Sequence, residues 1–382
     1  MKSSIVAARP SGPGPALPFA AMPTVPAAPT VPVLPAPPFL HTPSGRATIA
    51  DVARAAGVSK ATVSRYFNHR ETLLTPDIAA RVQAAVAALA YSPSPMAQAL
   101  KRGRSRLIGL VVADVTNPFS VAVLRGAEKA CQEAGYLVML FNLGNESGRE
   151  RQAIEALASY QVEGFILNRV GDDAAAMAEA ARKARPMVLV DRRNDSLAAD
   201  FVSLDNTAAA HTALQHLVDA GFRHVLFVTE PLEDVSSRHE RALAFQALAT
   251  SAGIHGEVLE HEGDDPALRA ALRRLRDAAN ADGLQPGVIT GNAVTTLRVA
   301  TVVAGLGWQW GRDLGFIGFD DTDWAPLIGP GLTTVAQPTD ALGKAAVECL
   351  LQRLNGATHA PREILLPGRL MVRGSSRSAL LS

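Results

Sequence analysis

The strongest structural signal in the chain is the stretch Thr48-Ile49-Ala50-Asp51-Val52-Ala53-Arg54-Ala55-Ala56-Gly57-Val58-Ser59-Lys60-Ala61-Thr62-Val63-Ser64-Arg65. Thr48 is a suitable N-cap for a first helix, and Gly57 ends that helix. Ser59 caps a second helix that runs from Lys60 to Phe67. Two short helices around a glycine-containing turn are typical of a helix-turn-helix.

A third helix is predicted to complete this small domain. Thr75-Pro76-Asp77 supplies a cap, a proline in the first turn and an acid beside the helix dipole. Apolar residues recur at helical spacing along all three helices, so they can share one core. They are Ile49, Val52, Ala53, Val58, Val63, Phe67, Ile78, Val82, Val86 and Leu89. We therefore expect a small all-α headpiece over residues 46–92.

The charge of the chain is unevenly distributed. The formal net charge is +1, but residues 46–106 contain 10 Lys/Arg and 3 Asp/Glu, a net charge of +7. Residues 1–45 add +2, so the remainder carries −8. A basic module joined to an acidic body suits an anionic partner at one end, and nucleic acid is the obvious candidate.

Two segments that flank the headpiece are expected to lack stable structure of their own. Residues 1–45 form a Pro- and Ala-rich tail, and its uncharged stretch 16–40 carries eight prolines, which argues against a signal peptide or a membrane span. We interpret the tail as disordered: an inert linker, an over-long start or a docking site for a proline-reading partner. Residues 93–106 form a hinge segment that is too short to be a stable helix alone.

From Leu107 onward, apolar strand-like runs alternate with helical stretches. Strands are predicted over 107–113, 137–142, 164–168, 187–191, 201–204, 224–229, 287–290 and 315–318. This alternation is typical of parallel sheets covered by helices on both faces, and the number of strands indicates two sheets. We therefore expect two doubly wound α/β lobes over residues 107–376 and a short tail over 377–382. Ligands of such sheets bind beyond the carboxyl ends of the strands.

Signals for catalysis, metals and cofactors are weak. Asp320-Asp321 could be an acid/base or metal pair, but no nucleophile with a base, metal-ligand cluster or phosphate-binding glycine loop accompanies it. Cys131 and Cys349 lie far apart, which predicts no disulfide framework and fits a reducing cytoplasm. We expect no enzyme activity, cofactor, bound metal or membrane association.

The stretch 48–65 closely resembles the headpiece of the lactose/galactose/purine repressor family. The similarity continues through Ile108-Gly109-Leu110, Asn117-Pro118-Phe119, Val162-Glu163-Gly164, Leu189-Val190-Asp191-Arg192, Gly318-Phe319-Asp320-Asp321 and Leu332-Thr333-Thr334-Val335. The headpiece motif is specific, whereas the later motifs are informative only as a series. The resemblance implies a DNA-binding repressor with a periplasmic-binding-protein-like core, a double-stranded operator as its partner and a dimeric or tetrameric assembly. No leucine-heptad pattern is evident after Arg373, which favours a homodimer over a tetramer.

The resemblance and the physics of the motif agree on the DNA-contacting residues. The second helix of a helix-turn-helix reaches base edges in the major groove, here through Lys60, Ala61 and Arg65. Phosphate contacts are expected from Thr48, Ser59, Thr62, Ser64 and Asn68. In the hinge, the resemblance implies that Leu100 wedges into the minor groove, with Ala97 at a small helix position and Lys101 near phosphates. The alternatives are a solvated basic helix and burial of Leu100 against the core.

The resemblance also implies an effector between the core lobes. The family positions that contact effectors are matched by Asp191, Arg241, Asn292 and Asp320. Carboxylates suit sugar hydroxyls, and a forked guanidinium suits a carboxylate or vicinal hydroxyls. Each residue could instead be structural and cap a helix or brace a turn. Trp324 could stack on a sugar face or pack in the core.

Departures from the family pattern favour an anionic, sugar-like effector. Ala293 follows Asn292 where the family usually has aspartate, and Arg192, Arg193 and Arg238 add cations near the expected cleft. Several arginines around one cleft favour a sugar acid or a phosphate over a neutral sugar. The segment 229–238 also resembles repressors that respond to 2-ketogluconate.

Two other interpretations remain open. A periplasmic-type sugar-binding protein shares the core fold but needs export, and this sequence has a headpiece instead. A regulator of a neutral-sugar operon would keep the headpiece and the core and bind an uncharged effector. In the favoured interpretation, effector binding moves the lobes, the hinge segments lose their packing, and operator affinity changes.

Overall fold

The computed structural model describes residues 47–67, 74–93, 104–146, 148–168, 185–194, 196–232, 235–263 and 265–377. The chain separates into two compact units, with the boundary between Ser92 and Pro93. Four of the predicted DNA-contacting residues lie outside the described residues, namely Asn68, Ala97, Leu100 and Lys101. No helix among the described residues has the length and apolarity needed to cross a membrane.

The first unit is a three-helix headpiece composed of α1 (Ile49–Ala56), α2 (Lys60–Phe67) and α3 (Pro76–Ala88). One fully buried valine from each helix forms its core: Val52, Val63 and Val82. Gly57 ends α1 with φ at 64°, a left-handed conformation that glycine adopts without steric cost. The predicted helix-turn-helix is confirmed.

The second unit consists of two lobes, each built on one sheet. The first lobe opens with β1 (Leu107–Val112), α4 (Pro118–Glu133), β2 (Leu137–Asn142), α5 (Arg149–Ser159), β3 (Gly164–Leu167), β4 (Met187–Val190) and β5 (Asp200–Leu204). The second lobe contains α6 (Asn206–Asp219), β6 (His224–Thr229), α7 (Ser236–Ser251), β7 (His255–Glu260), α8 (Asp265–Ala281), β8 (Pro286–Thr290), α9 (Ala293–Leu306), β9 (Gly315–Phe319) and β10 (Thr333–Ala336). The chain returns to the first lobe in α10 (Thr339–Leu354) and β11 (Glu363–Leu366), and it re-enters the second in β12 (Arg369–Met371).

The two sheets repeat one strand order. The first sheet runs β2-β1-β3-β4-β5-β11 and the second runs β7-β6-β8-β9-β10-β12. All neighbouring strands pair in parallel except β12, which pairs antiparallel with β10. The lobes are therefore topological copies of a doubly wound unit, and the predicted fold class is confirmed.

Helices cover both faces of each sheet. In the first lobe, α4 and α10 pack on one face and α5 on the other. In the second lobe, α6 and α7 pack on one face and α8 and α9 on the other. Central strands are consequently buried on both sides, as in β6, where all six residues are buried. This double burial explains why apolar runs without alternation mark the central strands.

Four strands have no counterpart among the eight predicted ones. Three of them, β7, β11 and β12, lie at sheet edges, and their residues are mostly exposed or half-buried. They therefore lack the continuous apolar run that signals a central strand. The fourth, β10, is buried but has only four residues, two of them threonines.

Candidate functional site

Helix α2 presents the predicted base-reading residues to solvent. Lys60, Ala61 and Arg65 are exposed, whereas Val63 is fully buried against the other two helices. The ion pairs found among the described headpiece residues join Arg54 to Asp51 and Arg81 to Asp77, so they leave Lys60 and Arg65 out. The sequence-predicted reading face is thus accessible to a partner.

The hydroxyl residues expected at phosphates also fix the helix starts. The amide and Oγ1 of Thr48 donate to Asp51 Oδ2 at 3.0 and 2.7 Å. Ser59 Oγ accepts from the amide of Thr62 at 3.1 Å. Thr48 and Ser59 are exposed, and Thr62 and Ser64 are half-buried. Thr48 and Ser59 therefore have structural roles, and all four side chains still reach the surface of the headpiece.

In the second unit, a cleft of about 620 Å³ lies between the lobes. Residues after β1 and at the start of α4 line it from the first lobe, and residues after β9 and β10 line it from the second. Among them are Thr116, Phe119, Asp320, Trp324 and Gln337. The cleft thus lies beyond the carboxyl ends of the strands, as expected for doubly wound sheets.

Arg241 on α7 is the centre of a buried polar network beside this cleft, with only 4% of its surface exposed. Its Nε donates to Asn206 Oδ1 at 2.8 Å, and Nη1 donates to the carbonyl of Gly291 at 2.7 Å. Its guanidinium lies 4.5 Å from the ring centre of Phe319. Burial lowers the pKa of Arg241, and the negative charges of Asp191 and Asp320 oppose that effect.

Gln337 connects Arg241 to Asp320. Its Oε1 accepts from Arg241 Nη2 at 3.3 Å, and its Nε2 donates to Asp320 Oδ1 at 2.7 Å. The amide of Ala293 donates to Asp320 Oδ2 at 2.9 Å. Burial raises the pKa of Asp320, whereas Arg241 and these two donors favour the carboxylate. Gln337 lies in the connection from β10 to α10, where the chain passes from the second lobe to the first. One residue of the network is therefore part of a connection between the lobes.

Asp191 and Asp320 occupy equivalent positions in the two lobes. Asp191 follows β4 and Asp320 follows β9, which holds the same place in the repeated strand order. Both have left-handed backbones, with φ at 67° and 73°. Their amides donate to Val202 and Val335 of the next strand, each at 3.0 Å. This conformation is uncommon for a non-glycine residue, although aspartate adopts it more readily than most, and it recurs at both strand ends.

Asn292 and Arg238 share one carboxylate, Glu230. Asn292 Oδ1 caps α9 by accepting from the amide of Thr295 at 2.8 Å, and its Nδ2 donates to Glu230 Oε2 at 2.6 Å. Arg238 Nη2 donates to the same oxygen at 2.7 Å. The structure therefore gives Asn292 the helix-capping role that was an alternative in the sequence analysis, and Arg238 has an acidic partner.

The remaining predicted residues take several positions. Arg192 directly follows Asp191, and its amide donates to the carbonyl of Val190 at 2.8 Å. Arg193 pairs with Glu363, and its guanidinium lies 4.6 Å from the ring centre of Phe201. Trp324 is half-buried against the core of the second lobe and also lines the cleft. The choice between core packing and ligand contact is thus not exclusive for Trp324.

Three residues of this network were absent from the predicted site: Asn206, Glu230 and Gln337. Each is a common polar residue without a distinctive motif around it. Position after a strand could have indicated two of them, because Glu230 follows β6 and Gln337 follows β10. Asn206 opens α6, and only its contact with Arg241 reveals its role.

Family models match both units. Residues 48–94 match bacterial regulatory proteins of the lacI family, and residues 214–376 match the periplasmic binding protein-like domain. The HTH-type transcriptional regulator PtxS of Pseudomonas plecoglossicida is 46% identical over 332 residues, which cover 87% of this chain and 96% of that protein. The HTH-type transcriptional regulator KdgR of Bacillus subtilis is 39% identical over 335 residues, covering 87% of this chain and 98% of its own.

A solved structure also aligns with both the headpiece and the core of this chain. The crystal structure of the lac repressor dimer bound to operator and the anti-inducer ONPF aligns with a TM-score of 0.73 and 26% sequence identity. The alignment covers 87% of this chain and the whole of the compared chain. Headpiece and core therefore both have counterparts in one known molecule.

Proposed function

Since the chain belongs to the lacI family of bacterial regulatory proteins and is a DNA-binding transcriptional regulator, we propose that a small sugar acid controls its operator affinity. The proposed role is that of a repressor, with 2-ketogluconate as the first effector to test. The segment 229–238 motivates this choice, because it resembles repressors that respond to that acid. The relatives found by comparison are themselves named transcriptional regulators, which supports a regulatory rather than an enzymatic role.

The observation that carries the proposal is the contact chain Arg241–Gln337–Asp320 beside the cleft. A buried guanidinium suits a ligand carboxylate, and a buried aspartate suits ligand hydroxyls. The longest of the three Arg241 contacts is the one to Gln337, so a ligand carboxylate can replace Gln337 there at the lowest cost. Asp191, on the other lobe, interacts electrostatically with Arg241 and is available for a second set of hydroxyls.

A neutral-sugar effector is the second candidate, and one observation favours it. The anionic interpretation rests partly on Arg193 and Arg238, but these pair with Glu363 and Glu230. Their positive charge is therefore largely compensated within the protein. The sugar-acid proposal therefore depends on Arg241, which Asn206, Gly291 and Gln337 hold beside the cleft.

The proposed mechanism couples two sites in a homodimer. The lac repressor relative is a dimer on its operator, and the hinge segment 93–106 of this chain is proposed to contact DNA, with Leu100 at the minor groove. An effector shifts operator affinity only through its different affinity for the DNA-bound and free states of the core. Gln337, in a crossover between the lobes, is the residue proposed to transmit that difference.

The central experiment measures operator binding by fluorescence anisotropy, with duplex from the region upstream of the gene. We expect sequence-selective binding that 2-ketogluconate weakens. Selective binding that neutral sugars weaken, and that no sugar acid alters, would replace the sugar-acid proposal with the neutral-sugar one. Folded protein without selective binding to this duplex or to family operators would contradict the proposal of an operator-binding repressor.

Gln337→Glu tests the charge of the effector directly. A carboxylate at this position would compensate Arg241 and repel an anion, so the effector concentration needed to release DNA should rise at least about tenfold, equivalent to about 1.4 kcal/mol. Gln337→Met is the control without added charge: like Gln337→Glu it loses the donor to Asp320, and it also loses the acceptor for Arg241. Equal effects of the two substitutions would indicate an uncharged effector.

Arg65→Ala tests the reading face of α2. If Arg65 contacts a base edge, its loss should cost about 1–3 kcal/mol of operator affinity and relax the preference at one base pair. Arg273→Ala removes the same charge from an exposed position on α8 in the core and serves as the control. A loss that is uniform across all duplexes would assign Arg65 to phosphate contact instead.

A further inference from the structure

Three potential metal ligands meet at the amino ends of the strands of the second sheet, whereas the cleft lies at their carboxyl ends. His224 begins β6 and His255 begins β7, and the parallel register pairs these two residues directly. Asp282 follows α8. One ligand atom from each of the three residues lies within 4.8 Å of the other two. This cluster, His224–His255–Asp282, belongs to no part of the effector network.

The geometry within the cluster is ordered. The two imidazole rings stack with their centres 4.5 Å apart and their planes 22° from parallel. His224 Nε2 lies 2.7 Å from Asp282 Oδ2. The His224 side chain is 8% exposed, whereas that of Asp282 is 53% exposed and His255 is also exposed. One ligand is therefore fixed by the sheet, and the other two lie on the solvent side, where they can adjust.

We propose that the cluster His224–His255–Asp282 binds a divalent transition-metal ion of the zinc class. Two imidazole nitrogens and one carboxylate oxygen form a donor set that zinc and its neighbours prefer, whereas magnesium and calcium require oxygen ligands. Three protein ligands with one position left for water form a usual tetrahedral arrangement.

Small movements are enough to form such a site. Metal–ligand bonds of about 2.0–2.2 Å in a tetrahedron place the ligand atoms about 3.4 Å apart. The contact between His224 and Asp282 must lengthen slightly from 2.7 Å, and the other two separations, which are at most 4.8 Å, must adjust to the same spacing. Rotations of the exposed His255 and Asp282 side chains can supply both changes without moving the strands.

A bound ion would tie three parts of the second lobe together: the starts of β6 and β7 and the turn after α8. Because the metal binds the folded form through residues distant in sequence, it should raise the stability of the protein. The cluster lies at the amino ends of the strands and the effector cleft at their carboxyl ends. Metal binding is therefore expected to be independent of the proposed effector and its test.

The test is a titration of the untagged full-length protein with Co²⁺, followed by visible absorption and by competition with Zn²⁺. We expect a tetrahedral cobalt spectrum and a higher Tm with Zn²⁺. His255→Gln and Asp282→Asn should each weaken binding by at least about tenfold, because losing even an outer hydrogen-bond partner of a ligand costs about 10–100-fold. His211→Gln, at an exposed position on α6, is the matched control and should leave binding unchanged.

Two results would overturn the proposal. One is an unchanged Co²⁺ affinity in His255→Gln with circular dichroism equal to that of the parent protein, which assigns any binding to other histidines. The other is the absence of a tetrahedral spectrum in the parent protein, which leaves the cluster as an ordinary His–Asp hydrogen bond with ring stacking. Both affected positions are exposed, so these substitutions should not disturb folding.

Discussion

At the residue scale, Asp200 shows how one buried charge is accommodated. Its side chain is fully buried at the start of β5. Oδ2 accepts from Arg353 Nε at 2.9 Å, and Oδ1 accepts from Arg353 Nη2 at 3.0 Å and from the amide of Arg362 at 2.8 Å. Burial alone would raise the pKa of Asp200, but these donors and the charge of Arg353 hold it at about 2. The end of α10 is thereby tied to β5 and to the residue before β11.

Asp200→Asn should lower the free energy of unfolding by about 3 kcal/mol at neutral pH, because Arg353 loses a buried counter-ion. The pKa of Asp200 is lowered on folding from the usual 3.8. The charge therefore stabilises the fold above about pH 4, and this contribution is lost as the pH falls through 2. Urea unfolding of the two proteins between pH 7 and pH 2 measures the difference, which should shrink with acid.

The control for Asp200 is Asp340→Asn. Asp340 pairs with Arg125 at the surface, with both side chains well over half exposed. Such pairs contribute about 0–1 kcal/mol, so this substitution should change stability little at any pH. Equal losses of unfolding free energy in Asp200→Asn and Asp340→Asn would contradict a larger contribution from the buried Asp200–Arg353 pair.

Single residues of the site differ in how far the sequence could identify them. Asp191 and Asp320 follow clear apolar strands, so the sequence alone assigns both to the ligand-facing edge. Their left-handed backbones could not be anticipated, since aspartate carries no local signal for φ above zero comparable to glycine. Gln337 was missed because its role depends on two partners, 96 and 17 residues away in sequence.

At the element scale, the packing of α4 on α10 depends on two glycines that face each other. A Cβ at Gly343 would overlap the carbonyl oxygen of Val123, and a Cβ at Gly126 would overlap the carbonyl of Asp340. The helix backbones are thus in direct contact where they cross. Since α10 comes from the far end of the chain, this crossing joins the beginning and end of the first lobe.

Gly343→Ala should destabilise the protein by about 1–3 kcal/mol, the usual cost of overpacking, because the two backbones have no room to give way. Gly305→Ala is the matched control: it lies in α9, is exposed, and its nearest neighbour is the end of the Arg269 side chain. There alanine should stabilise by about 0.5–1 kcal/mol through its higher helix propensity. Urea unfolding should show that the two substitutions change the free energy of unfolding in opposite directions. Stabilisation at both positions would contradict the direct backbone contact between α4 and α10.

At the scale of the whole molecule, the connection into the core is held by Glu163. Its Oε1 accepts from the amide of Arg106 at 2.7 Å, and its Oε2 accepts from Arg104 Nε at 3.1 Å. Arg104 Nη2 also donates to the hydroxyl of Tyr136 at 2.8 Å. The residues that precede β1, at the end of the proposed hinge, are therefore fixed to the first lobe.

Glu163→Gln should weaken operator binding by about threefold to tenfold, because a looser connection lowers the effective concentration of one headpiece near DNA when the other is bound. Effector binding to the core should be unchanged, which calorimetry can measure. Glu146→Gln, which breaks an exposed pair with Arg149, is the control. If Glu163→Gln binds the operator as tightly as the parent protein, the ion pair with Arg104 has no part in DNA binding.

Local sequence signals are sufficient to specify the headpiece and the class of the core. Caps, a glycine stop and apolar spacing act within a few residues, so they define α1, α2 and α3 without reference to the rest of the chain. Continuous apolar runs likewise identify the central strands of both sheets except β10, a strand of four residues that include two threonines. Three of the four edge strands, β7, β11 and β12, escaped prediction because their half-exposed residues lack that run, whereas the edge strand β2 has it.

Which side chains meet depends instead on the tertiary structure. The repeated strand order makes Asp191 and Asp320 equivalent, and a crossover brings Gln337 between Arg241 and Asp320. Parallel pairing sets His224 beside His255, and the turn after α8 adds Asp282. These juxtapositions follow from strand order and crossing connections. Strand order and crossing connections arise from the packing of the whole chain, and neither produces a periodic pattern in the sequence.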